Sequence, residues 1–205
     1  MKIVKPKLKN LEVLHKFDFD NLDYGIYENI QIGDNFILKD LIIDSCHFKN
    51  IDFTNITFDK VEFLDVILEN SILCNKKFFD KSFERIIFKE CKLMGNFFFN
   101  TLFENIEFID CNLKYCNFSD CHFKNVLFKD CNLQESNFDN CEMKFCELNG
   151  VDLNKTEFIN CNLKDMDFSN SCIDNSIFDY KSIKGIIIEP HQSSVLIGML
   201  GVKLK

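Results

Sequence analysis

The sequence predicts an all-β solenoid: a right-handed quadrilateral β-helix with four five-residue units per coil, closed by a C-terminal α-helix. Three observations lead there. Apolar residues keep a register of five, turn-forming residues hold a fixed place in each unit, and matched side chains recur twenty residues apart.

The register is the strongest of these. Every fifth residue from Leu38 to Ile188 is apolar, 31 positions in all: 17 Phe, 9 Leu, 4 Ile and Met143. A spacing of five fits neither regular element. On an α-helix it rotates about 140° per step, and on a flat strand it changes face at every repeat, so the chain must turn once per unit. The bias in composition, 24 Phe against no Trp, 7 Gly and 2 Pro, agrees with one short unit copied many times.

Turn chemistry sits two residues after each apolar centre. Asp40, Asn50, Asp65, Asn70, Asp80, Asn100, Asn105, Asp110, Asp120, Asn125 and Asp130 all occupy that place. Asn and Asp tolerate left-handed backbone and bond their own main chain, which suits a tight corner. The number of corners per coil follows from stacking. Leu73, Leu93, Leu113, Leu133 and Leu153 form one ladder at twenty-residue spacing, and Phe58, Phe78, Phe98, Phe118, Phe138, Phe158 and Phe178 form its neighbour. Four units per coil is the simplest geometry that produces both. Nearly eight coils at about 4.8 Å per layer give a rod about 37 Å long.

Residues 1–35 leave the register and are expected to form an N-terminal cap. Tyr27 and Ile32 are five apart, but Leu38 follows Ile32 by six, which places one extra residue around Gly33 to Asn35. Residues 36–189 form the β-helix. In residues 190–205, Pro190 suits a first helical position, and Val195, Leu196, Met199 and Leu200 recur at helical spacing. Such a helix should cover the last coil and, through those four residues, join a second copy of the chain end to end.

Nine of the eleven Cys lie two residues before a centre, an inward position, so they are read as small buried thiols. Cys111, Cys116 and Cys121 fall on three different faces, whereas zinc sites typically use pairs two to four residues apart. Cys74 and Cys172 lie off the inward track and are the expected reactive thiols. His47 and His122 point outward on different faces, and no phosphate loop or nucleophile motif accompanies them. The reading is therefore of a non-enzyme with no catalytic residue, metal or cofactor.

The net charge of −8 argues against direct nucleic-acid binding, which needs a basic face. Residues 36–190 carry 26 acidic against 17 basic residues, so the acid belongs to the rod. No run of roughly 18 apolar residues marks a membrane span, no apolar signal core follows the first lysines, and the thiol content suits the cytoplasm. Phe79 and Phe99 share an outward position one coil apart with Phe97 nearby, a candidate partner surface.

The units CNLKY, CNLQE, VDLNK and MDFSN resemble those of the pentapeptide-repeat family, and about three quarters of the chain shows the pattern. The C-terminal GIIIEPHQSSVLIGMLGV resembles the terminal segment of that family's quinolone-resistance branch. That resemblance implies a homodimer joined at its C-terminal end, an acidic mimic of duplex DNA that binds DNA gyrase or topoisomerase IV. Many plasmid-borne members of the branch carry loops that interrupt the coil; this register has none, so the loop-free members are the closer comparison. The alternative is a structural or protein-interaction scaffold without a topoisomerase role.

Overall fold

The computed structural model describes residues 1–9, 11–18, 22–33, 35–199 and 202. Its inward residues alternate with outward ones along each five-residue unit, and one side of the square coil is built per unit. The centres are buried almost throughout, Phe118, Leu113, Leu153 and Phe168 completely. Four faces result, and each is a parallel ladder with a register of twenty.

The first face is a six-stranded ladder in which Phe78, Phe98, Phe118, Phe138, Phe158 and Phe178 stand in line. The second and third faces share one larger sheet, because strands such as Leu102–Ile109 and His122–Lys129 run through the corner between them. The fourth carries the Leu ladder as single bridges, from Asp52↔Ile72 through Lys92↔Asn112 to Asp152↔Cys172. Leu93, Leu113 and Leu133 therefore share one face, as the twenty-residue period requires.

Ring stacking matches the layer spacing. Phe98–Phe118, Phe118–Phe138 and Phe138–Phe158 have centroids 5.0, 4.7 and 4.9 Å apart, close to the roughly 4.8 Å between strands. Two more aromatic columns stand on the second and third faces, for example Phe103–Phe123 at 4.8 Å and Phe88–Phe108 at 4.9 Å. Neighbouring columns meet edge to face, as in Phe78–Phe83 at 5.2 Å and 83°, an arrangement favoured by the ring quadrupole.

The corners explain the Asn and Asp. Asp65, Asn105, Asp120 and Asn140 have φ of 53°, 57°, 54° and 53°. Lys60, Arg85, Tyr115, Glu135 and Phe145 adopt the same left-handed geometry, so the coil imposes it on residues that do not prefer it. In the four units quoted above, the residue before the centre accepts a hydrogen bond from the amide two residues on. These are Asn112 from Lys114 (3.2 Å), Asn132 from Gln134 (3.0 Å), Asp152 from Asn154 (3.0 Å) and Asp167 from Ser169 (2.9 Å). Each is an Asx turn that fixes the corner locally.

The small inward position also has a chemical requirement. Ser136 and Thr156 hydroxyls donate to the Leu113 and Leu133 carbonyls at 2.8 Å. The Cys111 and Cys141 thiols do the same to Phe88 and Phe118 at 3.4 and 3.3 Å. A small side chain with a proton to give fits beside the ring and satisfies a coil carbonyl.

At the N-terminal end, Ile26↔His47 and Tyr27↔Phe48 pair with a register of twenty-one, which accommodates the extra residue. Tyr27 stacks on Phe48 at 5.1 Å and Phe17 on Tyr27 at 5.0 Å, closing that column. Residues 1–9 do not stay at this end: they run along the outside of the rod. At the other end Pro190–Gln192 form a 3-10 turn that leads into α1, Ser193–Met199. Gln192 is buried, and its side-chain amide donates to the Phe168 and Ser171 carbonyls at 3.0 and 2.8 Å, satisfying open carbonyls of the last coil.

Candidate interaction surface

Phe79, Phe97 and Phe99 lie together on the first face. Phe79 and Phe99 are aligned in register and are 46% and 40% exposed; Phe97 is half-buried and meets Phe79 edge to face at 5.6 Å. The outward rings thus form one small apolar patch. Beyond it, Phe99 lines an open groove of about 520 Å³ with Asn100, Asp120, His122, Asn140 and Glu142.

In the C-terminal segment, Val195 and Leu196 are half-buried against the core, and Met199 is exposed. Leu200 lies outside the described residues. One side of α1 therefore covers the last coil while the Met199 side faces out.

All eleven Cys are free thiols. Burial pushes the Cys116 and Cys146 thiols up to about 12. Burial, reinforced by the Cys131 and Cys91 thiols, holds Cys111 far above the ordinary range. Cys172 is exposed and Cys74 half-buried. A backbone hydrogen bond from Asp174 favours the Cys172 thiolate, but burial and the Asp174 and Asp152 carboxylates outweigh it and raise the thiol. Cys172 is accessible without being activated. Among the described residues, no three of His, Cys, Asp and Glu converge as metal ligands, and no helix is long and apolar enough to cross a membrane.

The acidic surface is patterned by stacking. Lys89 bonds Glu69 at 2.7 Å, Lys124 bonds Glu104 at 2.6 Å, and Arg85 bonds both Asp65 oxygens at 2.6 and 2.7 Å, in each case across twenty residues. Lys89, Lys124 and Arg85 are thus each paired with an acid one layer away along the rod.

The corner between the second and third faces carries the N-terminal arm, which sequence reasoning missed. The Lys7 amide donates to Asp65 Oδ1 at 2.8 Å, the Val4 amide donates to Asn105 Oδ1 at 3.2 Å, and the Lys5 ammonium bonds Glu107. The Met1 amino group lies 3.1 Å from Glu147. Glu107 is an outward residue, yet its side chain is only 8% exposed beneath the arm. Burial pushes the Asp65 carboxyl up, but hydrogen bonds from Arg85 and the Lys7 amide, with the charges of both residues, hold it below its usual value. The available signal was the outward apolar row Ile67, Ile87 and Leu127 beside these acids, facing an N-terminus with four lysines in ten residues.

No curated sequence relative matches. Among solved structures, full-length QnrB1, described as a plasmid-mediated fluoroquinolone resistance protein, is 19% identical over 93% of this chain and 96% of its own, with a TM-score of 0.46. HetL from the cyanobacterium Nostoc sp. strain PCC 7120, described as involved in heterocyst differentiation regulation, is 14% identical over 82% of this chain and 91% of its own, with a TM-score of 0.39. The family model described as a pentapeptide repeat region matches residues 81–158, and that for pentapeptide repeats in eight copies matches residues 146–179. The family models thus match residues 81–179 as pentapeptide repeats, and the same five-residue register and left-handed corners continue on either side of that stretch.

Proposed function

We propose that this protein acts by binding and not by catalysis. It is a cytoplasmic acidic rod, paired with a second copy through its C-terminal end, that enters the DNA-binding groove of a type II topoisomerase such as gyrase and protects it from quinolones. The carrying observation is the uninterrupted coil whose residues 36–190 hold an acidic excess of nine charges on a rigid frame. Such a field steers a rod toward a basic groove. The resemblance of the C-terminal segment supplies the candidate enzyme, and the outward Met199 side of α1 supports the pairing. Gyrase supercoiling assays with added protein, with and without a fluoroquinolone, test it: the protein should inhibit supercoiling or relieve the drug. No effect under either condition removes the topoisomerase.

A second reading has its own support. The stacked pairs Lys89–Glu69, Lys124–Glu104 and Arg85–Asp65 break the acid into neutralised patches, unlike the even charge row of duplex DNA. They favour a protein-interaction scaffold whose contact is the Phe79, Phe97 and Phe99 patch. Phe79→Ser with Phe99→Ser would then abolish partner capture and leave any gyrase effect intact.

A further inference from the structure

The arm contacts follow a rule of their own. Moving from Lys7 to Val4 advances three arm residues, while the bonded corner moves from Asp65 to Asn105, two coils along the rod. Two layers span about 9.6 Å. Three residues of polyproline II chain, which completes one turn in that number, rise about 9.3 Å. An extended segment with a period of three therefore presents one amide to the corner every second coil, and the corner supplies a side-chain oxygen that accepts it alongside a bond from the next layer.

The corner is suited to that ligand beyond mere acidity. Asp65 and Asn105 are buried, at 5% and 8% exposure, where most turn residues on the other corners are open. Glu107 stands one step to the side to take a lysine. The outward Ile67, Ile87 and Leu127 are half-buried along the same line, as are Ile3 and Pro6 of the arm. We propose that the face running over Asp65, Asn105 and Glu107 is a docking track for an extended, lysine-bearing segment of a partner protein, and that residues 1–7 occupy it at rest as a built-in competitor. Tethering places the arm at an effective concentration of about millimolar, so an incoming segment must displace it. The track does not depend on a topoisomerase as the partner.

The test uses the full chain. Val4→Pro with Lys7→Pro removes both amide donors without touching the coil. A fluorescent peptide of residues 1–9 is titrated into wild type and this variant, with anisotropy as the readout and hydrogen exchange reporting that the coil is intact. The variant should bind the peptide at least about tenfold more tightly than wild type, whose track is filled. A peptide carrying the same two prolines should not bind, and adding Asp65→Asn and Glu107→Gln to the variant should return binding to the wild-type level. Equal binding by wild type and variant overturns the competitor, and equal binding of the two peptides overturns the track, leaving only charge attraction.

Discussion

Two corners of one coil differ in what covers them. Along the covered corner, Asp65, Arg85, Asn105, Asn125 and Phe145 have φ between 53° and 57°; along the open corner Asp80, Asn100, Asp120, Asn140 and Asn160 lie between 49° and 56°. The backbone is the same. On the open corner the side chains bond only one another, as Asn100 does to Asp80 at 2.7 Å; on the covered one Arg85 bonds Asp65 and Asn125 bonds Asn105 in the same way, and Asp65 and Asn105 accept in addition from an outside chain. The stacked core thus dictates the main chain and leaves the corner side chains free for recognition.

A substitution in the core that both corners enclose has the largest expected effect. Phe118→Ala opens a cavity in a column that is fully buried and should cost about 3–5 kcal/mol. Denaturant unfolding measures it, and a loss below about 1 kcal/mol would show that the column does not hold the coil together.

The covered corner is probed by Asn105→Ala against Asn75→Ala on a third, uncovered corner. Both residues are left-handed, at φ 57°, but only Asn105 is buried and accepts from the arm. Each change forfeits the turn preference, and Asn105→Ala should lose about 1 kcal/mol more for the unmade hydrogen bond. Equal losses would mean that the arm contributes nothing at this corner. Phe145→Asn works in the opposite direction. The Phe145 ring is 72% exposed at φ 54°, so its backbone cost is not offset by burial, and Asn should stabilise by about 1 kcal/mol. Calorimetry should record a melting point higher by about 2–4 °C.

Acid should separate the two arm contacts. Because the folded Asp65 carboxyl is held below its usual value, its contribution is complete above about pH 3.9 and is lost as pH falls through the lower folded value. Exchange of the Lys7 amide should quicken across that window, and the Val4 amide, which bonds the neutral Asn105, should follow only if the arm leaves as a unit. Lys124→Ala is the smallest change: its pair with Glu104 is exposed and should be worth less than about 1 kcal/mol, less still in high salt.

The coil was legible because each layer repeats the same demand. Leu113 and Phe118 must point inward, Asn112 must cap its own turn and Cys111 must be small, and every copy restates this, so the period emerges from one sequence. The arm was not legible because its contacts at Val4 and Lys7 are made by main-chain amides, which any residue but proline supplies. Nor does the register explain Gln192, whose role appears only when the last coil has open carbonyls beneath it. The Phe79, Phe97 and Phe99 group could be found because outward aromatics are conspicuous in a regular pattern, whereas the folding of Val195 and Leu196 onto the core divides a helix face that the sequence presents as one.

The mismatch between arm and rod makes the arm a vernier. Three of its residues measure forty of the coil, so inserting a single twenty-residue layer between Asp65 and Asn105 would demand one and a half residues of arm, which no chain can provide. Beneath the arm the rod can lengthen only by pairs of layers, each pair matched by three new arm residues. Beyond the arm's reach toward the C-terminal end, layers can be gained or lost one at a time. Drift in length is thereby confined to one part of a molecule whose every layer is otherwise interchangeable.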